Sequence, residues 1–494
     1  MDNLALNPLQ IGIFVTLTVL IGALTWWRVA AMKKEVSDPE TDYFLAGRSL
    51  GWMLVAGSIT LTNLSTDQLV GMNGNQMLLL AWWELAAVVG LLILAFVFLP
   101  IYYRNNCKTT TELLGQRYGD KNIQALIAAL FLGGNIIVFL PVMLYTGSRF
   151  LQSMFAVDTP IIVIAIPLAL IGAAYAIFGG LRAVAVSDAI SGVGVLGVAV
   201  LVVILSLMAI DFDLSGIPAE RLTLIGDNDS PIPWHTLLTG MLFIQIFYWS
   251  TNQTITQRAM AAKSLGEAQK GVIAAATIRL MIVPAIVVIP GIVAFKLFGD
   301  IDDDAYGRIV GEVLPVWLSG AFAAMIAAAV LTSFNSVLNS STTLYVLDIH
   351  ETYVKSKPNV ARLNLVITLI FVALALLLVP IYESAQSIIN LVQELFGLVS
   401  MPILSAFIVG LAFRNVSAGA AMTGVVFGTL LYAAFTFLWP ALSDQFAGIM
   451  EPPHYIHLMF VTLIVSITVS LAVNAVIFGN KAQLVLGKPH EAES

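Results

Sequence analysis

The sequence predicts an all-α, polytopic membrane protein with about 13 transmembrane helices, on three observations. First, 59% of its 494 residues are hydrophobic and only 11% are charged, against about 25% charged residues in soluble globular proteins. Second, apolar runs of about 20 residues, the length that crosses a bilayer core, recur from one end of the chain to the other. Third, basic residues are unevenly distributed among the segments between these runs. We therefore expect a multi-pass protein of the plasma membrane.

Each predicted helix is an apolar run bounded by polar or turn-forming residues. A long polar segment, 211–233, separates the sixth run from the seventh. In chain order, the predicted spans are 9–31, 49–72, 78–102, 122–152, 159–178, 184–210, 234–255, 270–297, 313–348, 363–381, 384–412, 417–438 and 455–479.

The basic residues orient these helices, because cytoplasmic segments of membrane proteins are enriched in Lys and Arg. With the N-terminus outside and the C-terminus inside, 18 of the 23 basic residues fall on the cytoplasmic side and four fall outside. Arg258 is counted among the cytoplasmic loop charges, whereas Arg279 falls in or near a span. An even number of spans would destroy this asymmetry, so 13 is the predicted count.

We expect a single integral-membrane domain over 1–494. The first span, 9–31, and the last two spans, within 417–479, are predicted to be peripheral. Between them, 49–210 and 234–412 each hold five helices, and this odd number makes the second group enter the membrane from the opposite side. Each group opens with a polar-interrupted helix, "SITLTNLSTDQ" and "IFYWSTNQ". Matched interruptions favour an inverted-repeat transporter with its site near the bilayer midplane.

The first interruption, "TNLSTDQLVG" at residues 62–71, is very polar for its depth. Irregular backbone at this depth is tolerated only where it is buried in protein or lines a wet cavity. If the helix unwinds here, carbonyl oxygens near Leu61 and Leu64 become available as hard ligands for a small cation. The role of Asp67 in this stretch stays open: it gates, pairs with a base or meets water.

A second polar stretch, "AAAVLTSFNSVLNSST" at 327–342, repeats polar residues at helical spacing, namely Thr332, Ser333, Ser336 and Asn339. Hydroxyl oxygens of Thr332 and Ser333 are neutral hard ligands that could join carbonyls from another helix around Na⁺. Ser and Thr are also common at ordinary helix contacts, and that alternative stays open for this stretch.

A third set combines amides, a carboxylate and aromatic rings. Amides and a carboxylate exchange hydrogen bonds with the hydroxyls of a polyol, and Tyr and Trp offer flat faces on which a sugar ring rests. Its members are Glu84, Gln245, Tyr248, Trp249, Asn252, Gln253 and Gln393.

A fourth set carries charge: Asp67, Asp188, Arg279 and Glu394. Arg279 requires a carboxylate or a wet cavity, because an unpaired charge in an apolar run is costly; its partner cannot be identified from sequence. Asp188 is either a cation ligand or part of a gate salt bridge.

Other functional classes find little support. The five histidines, His235, His350, His454, His457 and His490, show no metal-ligand spacing, and no nucleotide motif or catalytic nucleophile is evident. We therefore expect no enzyme and no nucleic-acid partner. The single cysteine, Cys107, excludes an intramolecular disulfide. A channel needs a continuous polar pore and a sensor a soluble output domain, so both are weaker alternatives than a transporter.

Four motifs, in this order and spacing, resemble the solute:sodium symporter family, and most of all its bacterial sodium/sugar branch. They are "TDYFLAGRSLGW", "TNLSTDQLVGMNG", "YWSTNQTITQRAMAAKSLGEAQKG" and "LNSSTTLYVLDIH". The likeness runs from about residue 40 to 415. It implies the LeuT-like fold of inverted five-helix repeats, location in a bacterial inner membrane, and inward Na⁺ movement coupled to sugar uptake by alternating access.

The resemblance also implies site residues. Its sodium site would fall on carbonyls of Leu61, Leu64 and Ala329 and hydroxyls of Thr332 and Ser333. Its substrate contacts would fall on Asn63, Gln68, Glu84, Gln245, Tyr248, Trp249, Arg279 and Gln393. Tyr248 would also be the inner gate, with Met72 and Trp83 on the outer side. A second sodium site, present in some members, would use Asp188, Asn335 and Ser336.

This sequence departs from a galactose-transporting member of that branch at several positions. Arg279 replaces a lysine, Gln245 an asparagine, Ala87 a serine and Phe139 an asparagine, and Asn335 stands where a second sodium site has a serine. Arg presents a planar fork where Lys presents a point charge. The same fold carrying an anionic or amino-acid solute, such as sialic acid or another carboxylate, is therefore the main alternative. The number of Na⁺ ions and the oligomeric state are left open.

Overall fold

The computed structural model of the protein describes residues 7–32, 44–354, 359–385, 387–439 and 453–485. Both ends of the predicted domain, and 440–452 within the predicted peripheral pair 417–479, lie outside the described residues. The helices used below are α1 Pro8–Met32, α2 Trp52–Asn63, α3 Thr66–Gly74, α4 Leu78–Arg104, α5 Thr110–Tyr118, α6 Lys121–Phe155, α7 Ile161–Ala209, α8 Gly240–Ser250, α9 Gln253–Met260, α10 Leu265–Met281, α11 Val283–Phe298, α12 Ala305–Val313, α13 Val316–Tyr353, α14 Val360–Tyr382, α15 Ile388–Ala412, α16 Ala418–Leu438 and α17 Tyr455–Val476. Two short strands, β1 Phe413–Arg414 and β2 Gln483–Leu484, pair antiparallel.

Ten helical segments within the described residues are long and apolar enough to cross a bilayer. The three remaining predicted spans are interrupted or short: 49–72 is broken into α2 and α3, Gly240–Ser250 is an apolar helix of fewer than 18 residues, and Ile161–Ala174 is a short apolar stretch at the start of α7. A polytopic all-α membrane protein is therefore confirmed, and the count of 13 stays a prediction.

The predicted break between the fifth and sixth spans is replaced by α7, one helix of 49 residues. This helix cannot be straight. Gly172 packs on Phe334 and Gly194 packs on Met325. Those two partners are nine residues, about 14 Å, apart on α13, whereas 22 residues of straight helix would separate the glycines by about 33 Å. The helix therefore bends between Gly172 and Gly194.

The broken helix and α13 form the centre of the molecule. Of the most apolar window of α13, 94% is buried, against 6% for α1. α2 packs on α7, α10 and α13, and α3 packs on α6 and α11. This arrangement places both polar stretches, 62–71 and 327–342, in the interior. α1 is mostly exposed at the surface of the helix bundle, and its assignment as a peripheral span stays a prediction.

The four basic residues predicted to lie outside the cell gather at one end of the structure. Arg149 pairs with Asp304 at 3.0 Å, Arg221 with Asp300 at 2.8 Å and Lys296 with Asp213 at 3.0 Å. Arg308 lies over the Phe298 ring, 4.7 Å from its centroid. These acidic partners explain why cations appear in segments otherwise poor in Lys and Arg. We call this end the outer face.

In the part of the chain that the structure describes, four helices contain a π-helical turn: Leu94–Phe98, Asn135–Phe139, Leu344–His350 and Ala434–Leu438. A π turn carries one more residue per hydrogen-bonded ring than an α turn, and such turns are frequent at functional sites. The turn at Asn135–Phe139 presents the buried Phe139 side chain to the cavity described below.

On the outer face, Asp303 is buried against the end of α3. A side chain added at Gly74 would meet Asp303 Oδ1 at 2.8 Å, and the Tyr145 hydroxyl donates to Oδ2 at 3.5 Å. Burial raises the pKa of Asp303 to about 7, with Asp302 and Asp304 adding to the shift and Arg149 opposing it. The protonated carboxyl is therefore the form that the fold favours.

We expect Asp303→Asn to stabilise the protein at pH 8. Because the folded pKa lies above the unfolded value of about 3.9, the stabilising contribution of Asp303 is complete below about pH 4 and is lost as pH rises through 7. An amide cannot ionise, so the melting temperature of the variant should exceed that of the wild type by several degrees at pH 8, with a smaller difference at pH 5. The exposed Asp229→Asn is the control; equal melting temperatures at pH 8 would contradict the expectation.

Candidate functional site

The break between α2 and α3 lies at Leu64–Ser65. Leu64 has φ −77° and ψ 66°, and Ser65 is extended, so neither continues the helix. The Leu64 amide still donates to the Thr60 carbonyl at 2.8 Å, and the Ser65 carbonyl accepts from the Leu69 amide at 3.0 Å to start α3. Asp67 falls in the first turn of α3, where the helix dipole favours a carboxylate, and its side chain accepts from the Ser65 hydroxyl. The unwinding predicted from the sequence is thus confirmed at this point.

The predicted sodium ligands of α2 and α13 face each other across this break. The Ser333 hydroxyl donates to the Leu61 carbonyl at 3.3 Å, and the Thr332 hydroxyl donates to the Ala329 carbonyl at 3.1 Å. Leu64 lies at the break itself and is fully buried. One pair of the oxygens that the resemblance assigns to Na⁺, the Ser333 hydroxyl and the Leu61 carbonyl, therefore meets across the two helices; that the five residues bind the ion stays a prediction.

A second polar cluster adjoins this one. The Ser58 hydroxyl donates to Asp188 Oδ2 at 2.7 Å, while Oδ1 has no partner among the described residues. Thr62 lies 3.4 Å from the Ser336 hydroxyl. Asn335 is fully buried, and neither of its side-chain polar atoms has a partner in the described part of the chain. The three residues predicted for a second sodium site thus lie in one buried region.

Arg258 corrects a prediction. It was counted among cytoplasmic loop charges, yet it lies in α9, is fully buried, and donates to Thr62 at 2.7 Å and to the Thr254 carbonyl. The loop position predicted for Arg258 was wrong because basic residues were placed by their position along the chain, which carries no information on burial. Arg258 brings a positive charge close to Asp188, so both readings of Asp188, cation ligand and salt-bridge partner, stay open.

A cavity of about 50 Å³ lies beside the break. Seven of the eight predicted substrate contacts line it: Asn63, Gln68, Glu84, Gln245, Tyr248, Trp249 and Gln393. The other lining residues are Asp67, Trp83, Phe139, Ile244, Ile389, Val392 and Phe396. Sequence reasoning missed the apolar members of α8 and α15, because an Ile or Phe in an apolar span carries no signal that separates a cavity wall from lipid contact.

Two hydrogen-bond chains hold the polar walls of the cavity. Gln68 donates to Glu84 Oε1 at 2.6 Å, and Arg279 donates to Glu84 Oε2. On the other chain, Trp249 donates to Gln245 at 2.9 Å, and Gln245 donates to the Trp83 carbonyl at 3.0 Å. These hydrogen bonds hold the side chains of Gln68, Glu84, Gln245 and Trp249 in one orientation each.

The structure identifies the ion-pair partner of Arg279, which the sequence could not. Its guanidinium pairs with Glu84, both side chains are fully buried, and it lies 4.4 Å from the centroid of the Trp249 ring. A further bond reaches the Thr60 carbonyl at 3.3 Å. Arg279 is not among the residues that line the cavity, so it holds Glu84 and Trp249 from behind. The eighth predicted substrate contact is therefore not a wall residue in this structure.

Aromatic rings close one side of the cavity. The Tyr248 ring centroid lies 6.4 Å from Phe139 and 6.0 Å from Phe396, which suits the predicted gate at Tyr248. Trp83, predicted on the outer side, lines the cavity. Met72 is fully buried in α3 and is not among the lining residues. Its assignment to a gate therefore stays a prediction without a contact to support it.

The fold and the site together define a class: a multi-pass membrane carrier with a buried polar cavity at a broken helix. Neighbouring hydroxyls and carbonyls next to that cavity suit a small hard cation. Within the described residues there is no cluster of three or more His, Cys, Asp or Glu side chains that could hold a metal ion.

The sequence model of the sodium:solute symporter family matches residues 43–428, and the chain belongs to that family. It is 34% identical over 493 residues to the uncharacterized symporter YidK of Escherichia coli (strain K12), covering 95% of this chain and 84% of that protein. It is 31% identical over 518 residues to the sodium/glucose cotransporter of Vibrio parahaemolyticus, covering 95% and 92%. A structure of a substrate-bound, outward-open Na⁺-coupled sialic acid symporter aligns with a TM-score of 0.80 at 17% identity, covering 97% of this chain and 100% of that one.

Family membership confirms several predictions. The protein is a Na⁺-coupled symporter of a small-molecule solute, with the LeuT-like fold, and is not an enzyme. Na⁺ is the co-transported ion. The expected location in the plasma membrane is also confirmed, and the bacterial relatives indicate the inner membrane. The repeat boundaries, 49–210 and 234–412, stay predictions.

Proposed function

We propose that the protein couples inward Na⁺ movement to the uptake of a sugar by alternating access. One observation carries the choice of solute: the described residues that line the cavity include two carboxylates, four amides and several aromatic rings, and none is basic. Amides and carboxylates exchange hydrogen bonds with hydroxyl groups, and aromatic faces cover the apolar face of a sugar ring. Because the Arg279 charge is already paired with Glu84, an anionic solute would face the Asp67 carboxylate with no basic side chain among the described lining residues.

Buried polar atoms at the cavity support a ligand rich in hydroxyls. Gln68 Oε1 and Trp83 Nε1 have no hydrogen-bond partner among the described residues, and both residues line the cavity. An acceptor and a donor left unpaired in this way are costly unless a ligand or water satisfies them. A sugar hydroxyl can donate to the first and accept from the second.

The cavity is too small for a sugar ring in this conformation. Its volume of about 50 Å³ suits a few water molecules, whereas sites for small molecules commonly measure about 300–1,000 Å³. Binding therefore requires the aromatic side to open, and rotation of Tyr248 away from Phe139 and Phe396 is the simplest route. Na⁺ at the break would hold α2, α3 and α13 in the arrangement that admits sugar. Coupling then follows from the different affinities of both ligands for the two states.

The alternative, an anionic or amino-acid solute, was suggested by Arg279. Because Arg279 is fully buried and paired with Glu84, it supplies no free positive charge to the cavity. The sialic acid symporter shares the fold, and its solute is therefore a competitor in the test below and not the expected substrate.

Uptake into proteoliposomes tests the proposal. With an inward Na⁺ gradient, labelled neutral sugars should accumulate well above the level reached with K⁺ in place of Na⁺, whereas sialic acid and amino acids should not. Empty liposomes and liposomes without a gradient are the controls. Accumulation that ignores Na⁺ would reject the coupling, and accumulation of sialic acid in preference to every sugar would reject the solute class.

A further inference from the structure

Two histidines that lie 222 residues apart in sequence meet on the outer face. His235 lies in the short helical segment Trp234–Leu238 that precedes α8, and His457 lies in the first turn of α17. His235 Nδ1 is 2.5 Å from His457 Nε2, and both side chains are half-buried, so solvent reaches the pair. Such a separation leaves no spacing signal in the sequence.

The outer nitrogens of both rings are bound to oxygen atoms. His235 Nε2 lies 3.1 Å from Asn228 Oδ1, which can only accept, so this nitrogen carries the hydrogen. His457 Nδ1 lies 2.9 Å from the Thr239 hydroxyl, whose own hydrogen is directed to the Thr236 carbonyl at 3.2 Å. The outer nitrogen of each ring thus has an oxygen partner that can accept a hydrogen from it. Such an outer hydrogen bond is what orients histidine ligands towards a metal.

Across the gap, His235 Nδ1 and His457 Nε2 lie at hydrogen-bond distance, so one hydrogen lies between the two rings. A metal ion can take the place of this hydrogen if the hydrogen moves to His457 Nδ1, where the Thr239 hydroxyl can accept it, because each facing nitrogen then presents a lone pair. Imidazole nitrogen is a preferred ligand of Zn²⁺, Ni²⁺ and Cu²⁺, with metal–nitrogen distances of about 2.0–2.1 Å for Zn²⁺. We propose that His235 and His457 form a binding site for a transition-metal ion of the Zn²⁺ type on the outer face, with water completing the coordination.

The backbone around the pair is held by a close helix contact. A side chain added at Gly240 would collide with the Ile456 carbonyl, and Phe243 stacks on Phe460 with ring centroids 5.4 Å apart. With metal–nitrogen bonds of about 2.0–2.1 Å, the two facing nitrogens need to move apart by about 1–1.6 Å to admit an ion. Since α8 carries Tyr248 and Trp249, a bound ion ties the start of the cavity-lining helix to α17 and restrains its movement. This last consequence rests on the proposed function, whereas the metal site does not.

Direct binding tests the site without reference to transport. Protein carrying no polyhistidine tag and stripped of metal with EDTA should bind one Zn²⁺ per chain in calorimetry or equilibrium dialysis. His235→Ala and His457→Ala should each weaken binding at least tenfold, and His457→Gln, which keeps a polar side chain of similar length, should do the same if the alanine variant folds poorly. His350→Ala, in α13 and away from the pair, is the matched control and should bind as the wild type does.

The metal site would be overturned if the wild type bound no Zn²⁺, which is the result expected of two histidines that only share a proton. Equal binding by the wild type and the double variant H235A/H457A would overturn it as well. In the uptake assay, external Zn²⁺ should slow the wild type and not H235A. If Zn²⁺ binds but leaves uptake unchanged, the restraint on α8 is overturned and the metal site is not. If no sugar is taken up even in the absence of Zn²⁺, the result counts against the proposed function and not against the metal site. His490 lies outside the described residues.

Discussion

Glu84→Gln is expected to lower the stability of the protein by about 3–5 kcal/mol, the range for removing one partner of a buried ion pair. Arg279 would keep its charge with a fully buried side chain and lose the carboxylate that neutralises it. Thermal unfolding in detergent should therefore begin at a clearly lower temperature than in the wild type. Sugar uptake should fall as well, because an amide offers one acceptor oxygen where the carboxylate offers two, so Gln68 and Arg279 can no longer each donate to an oxygen of their own.

A double variant separates these two effects. Glu84→Gln combined with Arg279→Met removes both charges, and replacing a buried ion pair with apolar groups is often neutral or stabilising. We expect the double variant to regain most of the lost stability without regaining uptake, since the cavity still lacks the Glu84 carboxylate. The exposed Glu312→Gln controls for loss of a surface charge. A double variant as unstable as Glu84→Gln would show that the ion pair is not the cause.

Ser333→Ala is expected to raise the Na⁺ concentration for half-maximal uptake at least about tenfold, equivalent to about 1.4 kcal/mol. The variant loses one hard oxygen next to the Leu61 carbonyl, and small cations depend on the number of such ligands. Thr332→Ala should act in the same direction, although Thr332 also lies near Asp188. Ser333→Ala is therefore the cleaner test.

A second measurement makes the sodium prediction independent of transport. A ligand that binds only the folded protein raises its stability with concentration, so NaCl should raise the melting temperature of the wild type relative to KCl. Ser333→Ala should lose most of that difference. Thr342→Ala, which removes a hydroxyl bonded only to backbone carbonyls of its own helix, should retain it. An unchanged Na⁺ response in Ser333→Ala would exclude this residue from the site.

The sequence predicted the parts of this molecule that depend on length, hydropathy and local polarity. The break at 62–71 was visible because polar residues at membrane depth are costly unless the backbone opens. The cavity residues Gln245, Tyr248 and Trp249 were visible because polar and aromatic side chains stand out in an apolar run. Seven of eight predicted contacts consequently line one cavity.

What sequence could not predict depends on which distant residues meet. The partner of Arg279 lies 195 positions away, at Glu84, and no local pattern distinguishes Glu84 from the other acidic candidates. Arg258 was misjudged because basic residues near span ends are usually solvated, whereas here helix α9 carries the guanidinium into the protein interior. The bend of α7 was predicted as a break between spans 159–178 and 184–210, because an apolar run of about 20 residues is expected to cross the bilayer once.

The π-helical turns have a consequence for how this chain tolerates changes in length. Each holds one residue beyond what an α-helix needs, so deleting a single residue within Leu94–Phe98 or Ala434–Leu438 would convert the turn to regular α-helix. Elsewhere in a span the same deletion would rotate every following side chain by about 100°. These turns are therefore places where a one-residue gap is absorbed locally. Deleting one residue within Asn135–Phe139 would also convert that turn to α-helix, but it would move Phe139 away from the cavity wall. We therefore expect such a shortened chain to fold and yet to present a different surface to the solute.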